Sequence, residues 1–197
     1  AFQAISAYQQ DLVETPNIDR LAAEGMRFQR SYVTNSISSP SRAVCLTGKH
    51  SHENGLRDNM AKFDSTQQTF PKLLRGAGYQ TAMVGKWHLK SQPTGFDYWE
   101  VLPGQGHYYQ PEFLTPDGKM EEQGYVTDLI TDKSIAWLEQ AKNNDQPFLL
   151  MCHHKAPHRE WLPAQRHLDS LTAKQYPEPE TLFDDYEGRG TAAKEAE

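Results

Sequence analysis

Asp128 to Lys142 reads DLITDKSIAWLEQAK, and after five further residues Phe148 to Cys152 reads FLLMC. The first stretch puts Ile130, Ser134, Trp137, Leu138 and Ala141 on one face at helical spacing. The second is a continuous apolar run behind Pro147, without the polar alternation of a half-solvated strand. Such a run predicts a central parallel strand buried on both faces. A helix leading into a buried strand is the building unit of an α/β sheet.

Working upstream, Thr69 to Arg75 reads as a capped helix closed by Gly76-Ala77-Gly78, and Tyr79 to Val84 follows as a strand. Thr15-Pro16-Asn17-Ile18-Asp19 opens another helix, with Thr15 as cap and Pro16 at the first helical position. Its apolar stripe is Ile18, Leu21 and Ala22, and Gly25 stops it. Met26 to Val33 alternates and predicts a strand. Asn35 to Pro40 is turn chemistry, and Arg42 to Thr47 is a short helix ended by Gly48. Lys90 to Gly124 is polar, aromatic and rich in Gly and Pro, and reads as a long functional loop. The tail from Tyr176 reads as a surface loop. The expected architecture is α/β, a mostly parallel central sheet flanked by helices, without internal repeats.

The 197 residues suit one domain of ordinary size. The formal charge of −6 gives no basic face for nucleic acid. No apolar run reaches the length of a membrane span. Cys45 and Cys152 do not make a disulfide framework. Ala1-Phe2-Gln3-Ala4-Ile5 begins inside a globular-looking stretch, and Gly188 to Glu195 stops as a helix starts. Both ends read as cuts through a larger fold, so residues 1–197 are expected to be part of an N-terminal domain truncated at both ends.

The chemistry-bearing residues form clusters at the ends of predicted elements: Ser38 to Gly48, Gly85-Lys86-Trp87-His88, and His153-His154-Lys155-Ala156-Pro157-His158. Open α/β sheets place ligand sites outside the carboxyl ends of their strands, so these clusters can converge. Ser38 would stand at a helix N-terminus, where backbone N–H groups favour an anion. Arg42 adds a planar donor fork. Lys86 and His88 are two apart and share a side of an extended segment. His158 can donate or accept near neutral pH. Together they would hold a tetrahedral oxyanion with acid and base groups beside it. Bland readings compete: a Ser-rich turn is most often a cap, and Lys86-Trp87-His88 an exposed strand end. His154 and His158 have the i, i+4 spacing of a zinc pair, but Pro157 disfavours the helix this needs. Leu46 to Ser51 lacks the first Gly and the Ser or Thr of a phosphate loop. His50 and His52 read as surface residues. Phe96 to Trp99 reads as packing rather than a sugar platform.

Ser38-Ser39-Pro40-Ser41-Arg42-Ala43-Val44-Cys45-Leu46-Thr47-Gly48 resembles the signature of type I, formylglycine-dependent sulfatases: Cys or Ser, any residue, Pro, Ser, Arg, three residues, Leu, Thr, Gly. Gly85-Lys86-Trp87-His88, Ala156-Pro157-His158 and Thr15 to Leu21 resemble further motifs of that family, in the expected order. Gln105-Gly106-His107-Tyr108-Tyr109-Gln110-Pro111 and Leu182 to Tyr186 are similar to bacterial enzymes of the N-acetylglucosamine-6-sulfatase type. The resemblance implies an alkaline-phosphatase-like sandwich and a sulfuric ester hydrolase acting on a sulfated glycosaminoglycan or mucin-type glycan. It implies that Ser38 becomes formylglycine through a formylglycine-generating or radical sulfatase-maturating enzyme. Arg42 would hold the modified residue, Lys86 and His158 the sulfate and leaving oxygen, and His88 would take a proton to release sulfate. His107 would touch substrate. Ca²⁺ would be the cofactor, with Ser38 as one ligand and the acidic ligands outside this chain. A periplasmic or secreted bacterial location is implied. The alternatives are a phosphonate or phosphate monoester hydrolase of the same superfamily, or a non-catalytic glycan-binding relative.

Overall fold

A computed structural model describes residues 4–9 and 12–195. They fall into two compact units, one spanning Phe28–Pro163 and the other drawn from the two ends of the chain.

The larger unit is built on a five-stranded sheet. Its strands are β1 (Gln80–Lys86), β2 (Tyr98–Leu102), β3 (Glu112–Thr115), β4 (Gly118–Glu121) and β5 (Phe148–His153), in the order β4-β3-β2-β1-β5. β1 pairs in parallel with both β2 and β5, while β2–β3 and β3–β4 are antiparallel. The sheet is therefore mixed, with its parallel part around β1. β1 is buried from Thr81 to Lys86, as a strand flanked on both sides and covered on both faces must be.

Strand alternation divides the core into two layers. Met83 points to one face and packs with Ala43, Leu46, Trp87, Phe96 and Trp99. This layer is closed by helices α2 (Ser38–Thr47) and α4 (Phe70–Gly76), with the short α3 (Ser51–Asn54) between them in the chain. Ala82 and Val84 point to the other face, toward helix α5 (Val126–Ala141). α5 lays Val126, Ile130, Ser134, Trp137 and Ala141 on that face, the stripe its periodicity predicts. Phe96 and Trp99 are core residues, in line with the packing reading.

Three sequence expectations need correcting here. Met26 to Val33 forms no strand; Met26, Phe28, Tyr32 and Val33 are exposed, and alternation alone does not make one. Lys90 to Gly124 is not a structureless loop, for it contains β2, β3 and β4. Trp99, Val101 and Leu102 enter the core by pairing alongside β1, and Pro116-Asp117 turns the β3–β4 hairpin between the paired Thr115 and Gly118. The Phe148 run is parallel as expected, but β5 lies at the edge of the described sheet, and Phe148 is half exposed. β1 holds the central place instead.

The smaller unit contains α1 (Pro16–Glu24), α6 (Gln165–Thr172) and α7 (Thr191–Lys194). Pro16 opens α1 and Gly25 ends it, as expected. Thr15 occupies the cap position without capping: its hydroxyl donates to Asp19 Oδ1 at 3.0 Å, and Ser6 Oγ donates to Asp19 Oδ2 at 2.6 Å. These bonds hold the Asp19 carboxyl below its usual range. None of α1 is buried, including the Ile18, Leu21 and Ala22 stripe. The segment after Tyr176 is largely exposed irregular chain.

Candidate active site

α2 begins at Ser38, four residues earlier than its sequence reading. Ile37 is extended and precedes the first turn, and Gly48, in the left-handed region at φ 68, ends the helix by donating to Val44 O. Pro40 lies in the first turn, where a missing N–H costs nothing. Ser39 ties this end to the sheet: its hydroxyl donates to His88 O at 2.6 Å, and its N–H donates to Asn59 Oδ1 at 2.9 Å. The backbone donors expected for an anion are thus partly spent, and the anion-attracting groups are side chains.

Those side chains converge. Ser38 Oγ lies 2.7 Å from His88 Nδ1. Arg42, one turn along α2, donates from Nη1 to Lys86 O at 2.7 Å and to His153 Nδ1 at 3.2 Å. Lys86 ends β1, and its Nζ donates to Gln105 Oε1. Gln105 Nε2 stands 3.4 Å from His88 Nε2. His158 makes no hydrogen bond to His88 but is near enough to bear on its charge. Its carbonyl accepts from Tyr108, whose ring carries the Lys155 ammonium 4.6 Å above its centroid. So the structure brings Ser38, Arg42, Lys86 and His88 into one bonded group with His158 beside it. His107 is different: it is exposed in the β2–β3 loop, and no hydrogen bond among the described residues links it to that group.

The backbone serves this convergence at two points. Gly85 pairs with His153 across β1 and β5, and a Cβ there would lie 2.0 Å from His153 O. Glycine lets the two strand ends close up and seats His153 against Arg42. His88 adopts φ 56, a left-handed conformation that a non-glycine side chain takes only at some cost.

The electrostatics follow from burial without counter-charge. Burial lowers the Lys86 pKa to about 8, helped by Arg42 and Lys155. Burial, then Lys86 and Arg42, lowers His88 to about 4, so its imidazole is neutral at pH 7. Burial also pulls Arg42 and His153 downward. Among the described residues no carboxylate is bonded to Arg42 or Lys86. The field is that of an anion site.

The sequence motifs contain Gln105, His153, Lys155 and Tyr108 but give none of them a role. A polar residue between Gly104 and Gly106, just past a strand end, was the available signal for Gln105. His153 stood in a quoted cluster, but only pairing across Gly85 shows that it meets Arg42. The His cluster does not gather: His153 meets Arg42, His154 Nε2 lies 3.8 Å from Cys152 Sγ, and His158 Nδ1 lies 2.6 Å from Arg159 O. Among the described residues no group of three or more His, Cys, Asp or Glu could hold a metal ion. The donors beside Ser38 are basic and do not by themselves fit the all-oxygen shell of a calcium ion. Among the described residues no helix is long and apolar enough to cross a membrane.

Residues 1–193 match the protein-family model described as Sulfatase. The chain is 57% identical, over 196 residues, to the N-acetylglucosamine-6-O-sulfatase of Bacteroides thetaiotaomicron, covering 98% of this chain and 35% of that protein. It is 32% identical over 190 residues to an uncharacterized sulfatase of Escherichia coli, covering 79% of this chain and 33% of that protein. A solved protein in complex with its substrate D-glucosamine-2-N,6-O-disulfate superposes with a TM-score of 0.92 at 56% identity, covering 98% of this chain and 40% of that one. The chain thus spans about a third of the length of the curated relatives it matches. The fold is that of these proteins: a partly parallel sheet between helical layers, alkaline-phosphatase-like in class.

Proposed function

The chain belongs to the sulfatase family, and on that premise we propose that it supplies the nucleophile and sulfate-holding groups of a sulfuric ester hydrolase acting on a sulfated carbohydrate. The observation that carries this reading is the Ser38–His88 contact at 2.7 Å beside Lys86 and Arg42, to which no carboxylate is bonded among the described residues. The substrate class we favour is 6-sulfated N-acetylglucosamine, because the relative that bears that activity in its name is 57% identical over nearly the whole chain.

Ser38 is the residue we propose to be converted to formylglycine. Its hydroxymethyl is half-buried at the first turn of α2 and faces a neutral imidazole, which fits a small polar group that must exchange protons. As a hydrated aldehyde, the modified residue would offer one hydroxyl to attack sulfur and a second whose deprotonation frees sulfate. His88, uncharged at neutral pH, can accept that proton. Lys86 presents a buried ammonium to sulfate oxygens, and His158 stands where it can assist the leaving oxygen. Arg42 braces the site by joining α2 to the ends of β1 and β5. Calcium belongs to the proposal for the family. Its acidic ligands would come from outside residues 1–197, and no step here runs through it. Localisation outside the cytoplasm of a bacterium and dependence on a maturating enzyme are part of the same proposal.

The test compares turnover of an aryl sulfate and an aryl phosphonate by the native-length protein. Sulfate ester hydrolysis should dominate and be lost in Ser38→Ala. Preference for the phosphonate would move the assignment to a phosphonate monoester hydrolase, and binding of sulfated glycan without turnover to a glycan-binding relative.

A further inference from the structure

We propose that Gln105 is a positioning residue that decides which ring nitrogen of His88 carries the proton, and that an anion arriving at Lys86 reverses the decision. The meaning for turnover rests on the sulfatase reading. The hydrogen-bond assignment does not.

A lysine ammonium only donates, so the Gln105 atom facing Lys86 Nζ is the amide oxygen. The amide is planar, and its nitrogen faces the other way, toward His88 Nε2. An amide N–H2 also only donates, so His88 Nε2 must accept. A neutral imidazole carries one N–H. It therefore sits on Nδ1 and donates to Ser38 Oγ at 2.7 Å. Turning the amide over would set its N–H2 against the ammonium, donor against donor.

The fold keeps Gln105 in register with its partners. Lys86 pairs with Leu102, so β1 and β2 end together, and Gln105 follows three residues later. Gly106, at φ 68, packs so closely on Leu102 that a Cβ would lie 2.7 Å from its Cδ1. The chain is folded back tightly at the position that delivers the amide.

With its proton on Nδ1, His88 supports the Ser38 oxygen as a donor and cannot take a proton there. An anion that draws Lys86 Nζ to itself releases Gln105 Oε1. The amide, no longer held by the ammonium, can then turn over, and its carbonyl accepts from an N–H at His88 Nε2. That favours the other tautomer, in which Nδ1 is the base. One proton leaves Nδ1 and one arrives at Nε2 through water, with no change of charge. Gln105 thus links the base form of His88 to occupancy at Lys86.

The test uses native-length protein with unmodified serine at position 38, labelled with ¹⁵N-histidine, the His88 signal being assigned by its loss in His88→Gln. The Nδ1–H pattern is expected without ligand, and inorganic sulfate should shift it toward Nε2–H. Gln105→Glu, whose carboxylate only accepts, should show Nε2–H without sulfate. An unchanged tautomer in both comparisons would overturn the proposal, and the sulfate titration needs no variant to fold. Steady-state kinetics on a sulfate ester give the second arm. Gln105→Leu should lower kcat on the order of tenfold to a hundredfold with little change in KM. Gln105→Glu should mainly raise KM, since its charge opposes the anion. A merely structural role would give both variants one pattern. If the tautomer responds as described while no sulfate ester is turned over, the sulfatase reading fails and the assignment of Gln105 stands.

Discussion

Lys86 and Lys133 are both withdrawn from water, one at the end of β1 and the other on the helix packed against that strand, and their surroundings differ in one respect. Lys133, on α5, places its Nζ 2.5 Å from Glu100 Oε2 and 2.5 Å from Glu122 Oε1, over the Phe113 ring at 4.9 Å. Burial opposes its charge, but the bonds to Glu100 and Glu122 outweigh that, and its pKa is raised. Lys86 has an amide oxygen, a neighbouring arginine and, among the described residues, no acid, and its pKa falls to about 8. One cation is neutralised inside the fold and ties α5 to β2 and the hairpin. The other keeps an unmet demand for negative charge. A buried cation without a counter-charge costs stability, and such a cost persists where a ligand relieves it.

The comparison can be broken by exchanging the expected effects. Ser38→Ala should lower sulfate ester turnover by a factor on the order of 10⁴ or more, since it removes the reacting group itself. Lys86→Met should cost on the order of 10²–10³ in kcat/KM and leave the melting temperature unchanged or raised. Lys133→Met should do the reverse: it strands two half-buried carboxylates and should destabilise by about 3 kcal/mol, with turnover retained at temperatures where the protein is folded. Denaturant melts paired with initial rates check both. If Lys86→Met destabilised as strongly as Lys133→Met, the contrast between the sites would be false. Gly85→Ala should destabilise by about 2 kcal/mol and reduce turnover, because the new Cβ meets His153 O and pushes β5 from β1.

The smallest effect is a pH dependence with opposite signs. Lys86 has a folded pKa of about 8, below the 10.5 of an unfolded lysine. From about 8 to 10.5 the unfolded chain holds more protons than the native one, so stability from this group rises with pH there. Its burial penalty is fully present below about 8. Lys133 is shifted upward, so its contribution is full below 10.5 and fades as pH rises through the folded pKa. The stability advantage of Lys86→Met over wild type should therefore shrink between pH 8 and 10.5, while the deficit of Lys133→Met should begin to close only above that window. Thermal melts from pH 8 to above 10.5 read both signs.

How much of this was legible in the sequence follows from where each signal lies. The α5 stripe is local, and Ile130, Trp137 and Ala141 are buried as their spacing predicts. The Ser38 signature and the Lys86–His88 pair are also local, and the fold joins them. β2, β3 and β4 were hidden because their partners are distant in the chain, and Tyr98 to Leu102 reads as strand only beside β1. Met26 to Val33 shows the converse, an alternating pattern that forms no strand. The Phe148 run was correctly parallel, yet no local feature says whether a strand is central or at an edge. Gln105 gains its meaning only from Lys86 and His88 on either side of it. His107, its neighbour but one, drew attention by residue type and stands exposed.

The central claim is that Ser38 is the reacting residue of a sulfate ester hydrolase, and its direct test is peptide mass spectrometry on active protein isolated from its native host. Trypsin cuts after Arg30 and Arg42, releasing Ser31 to Arg42. The account predicts that this peptide lacks two hydrogens at Ser38, in a fraction that tracks specific activity. Full sulfatase activity with only unmodified serine at that position would contradict it.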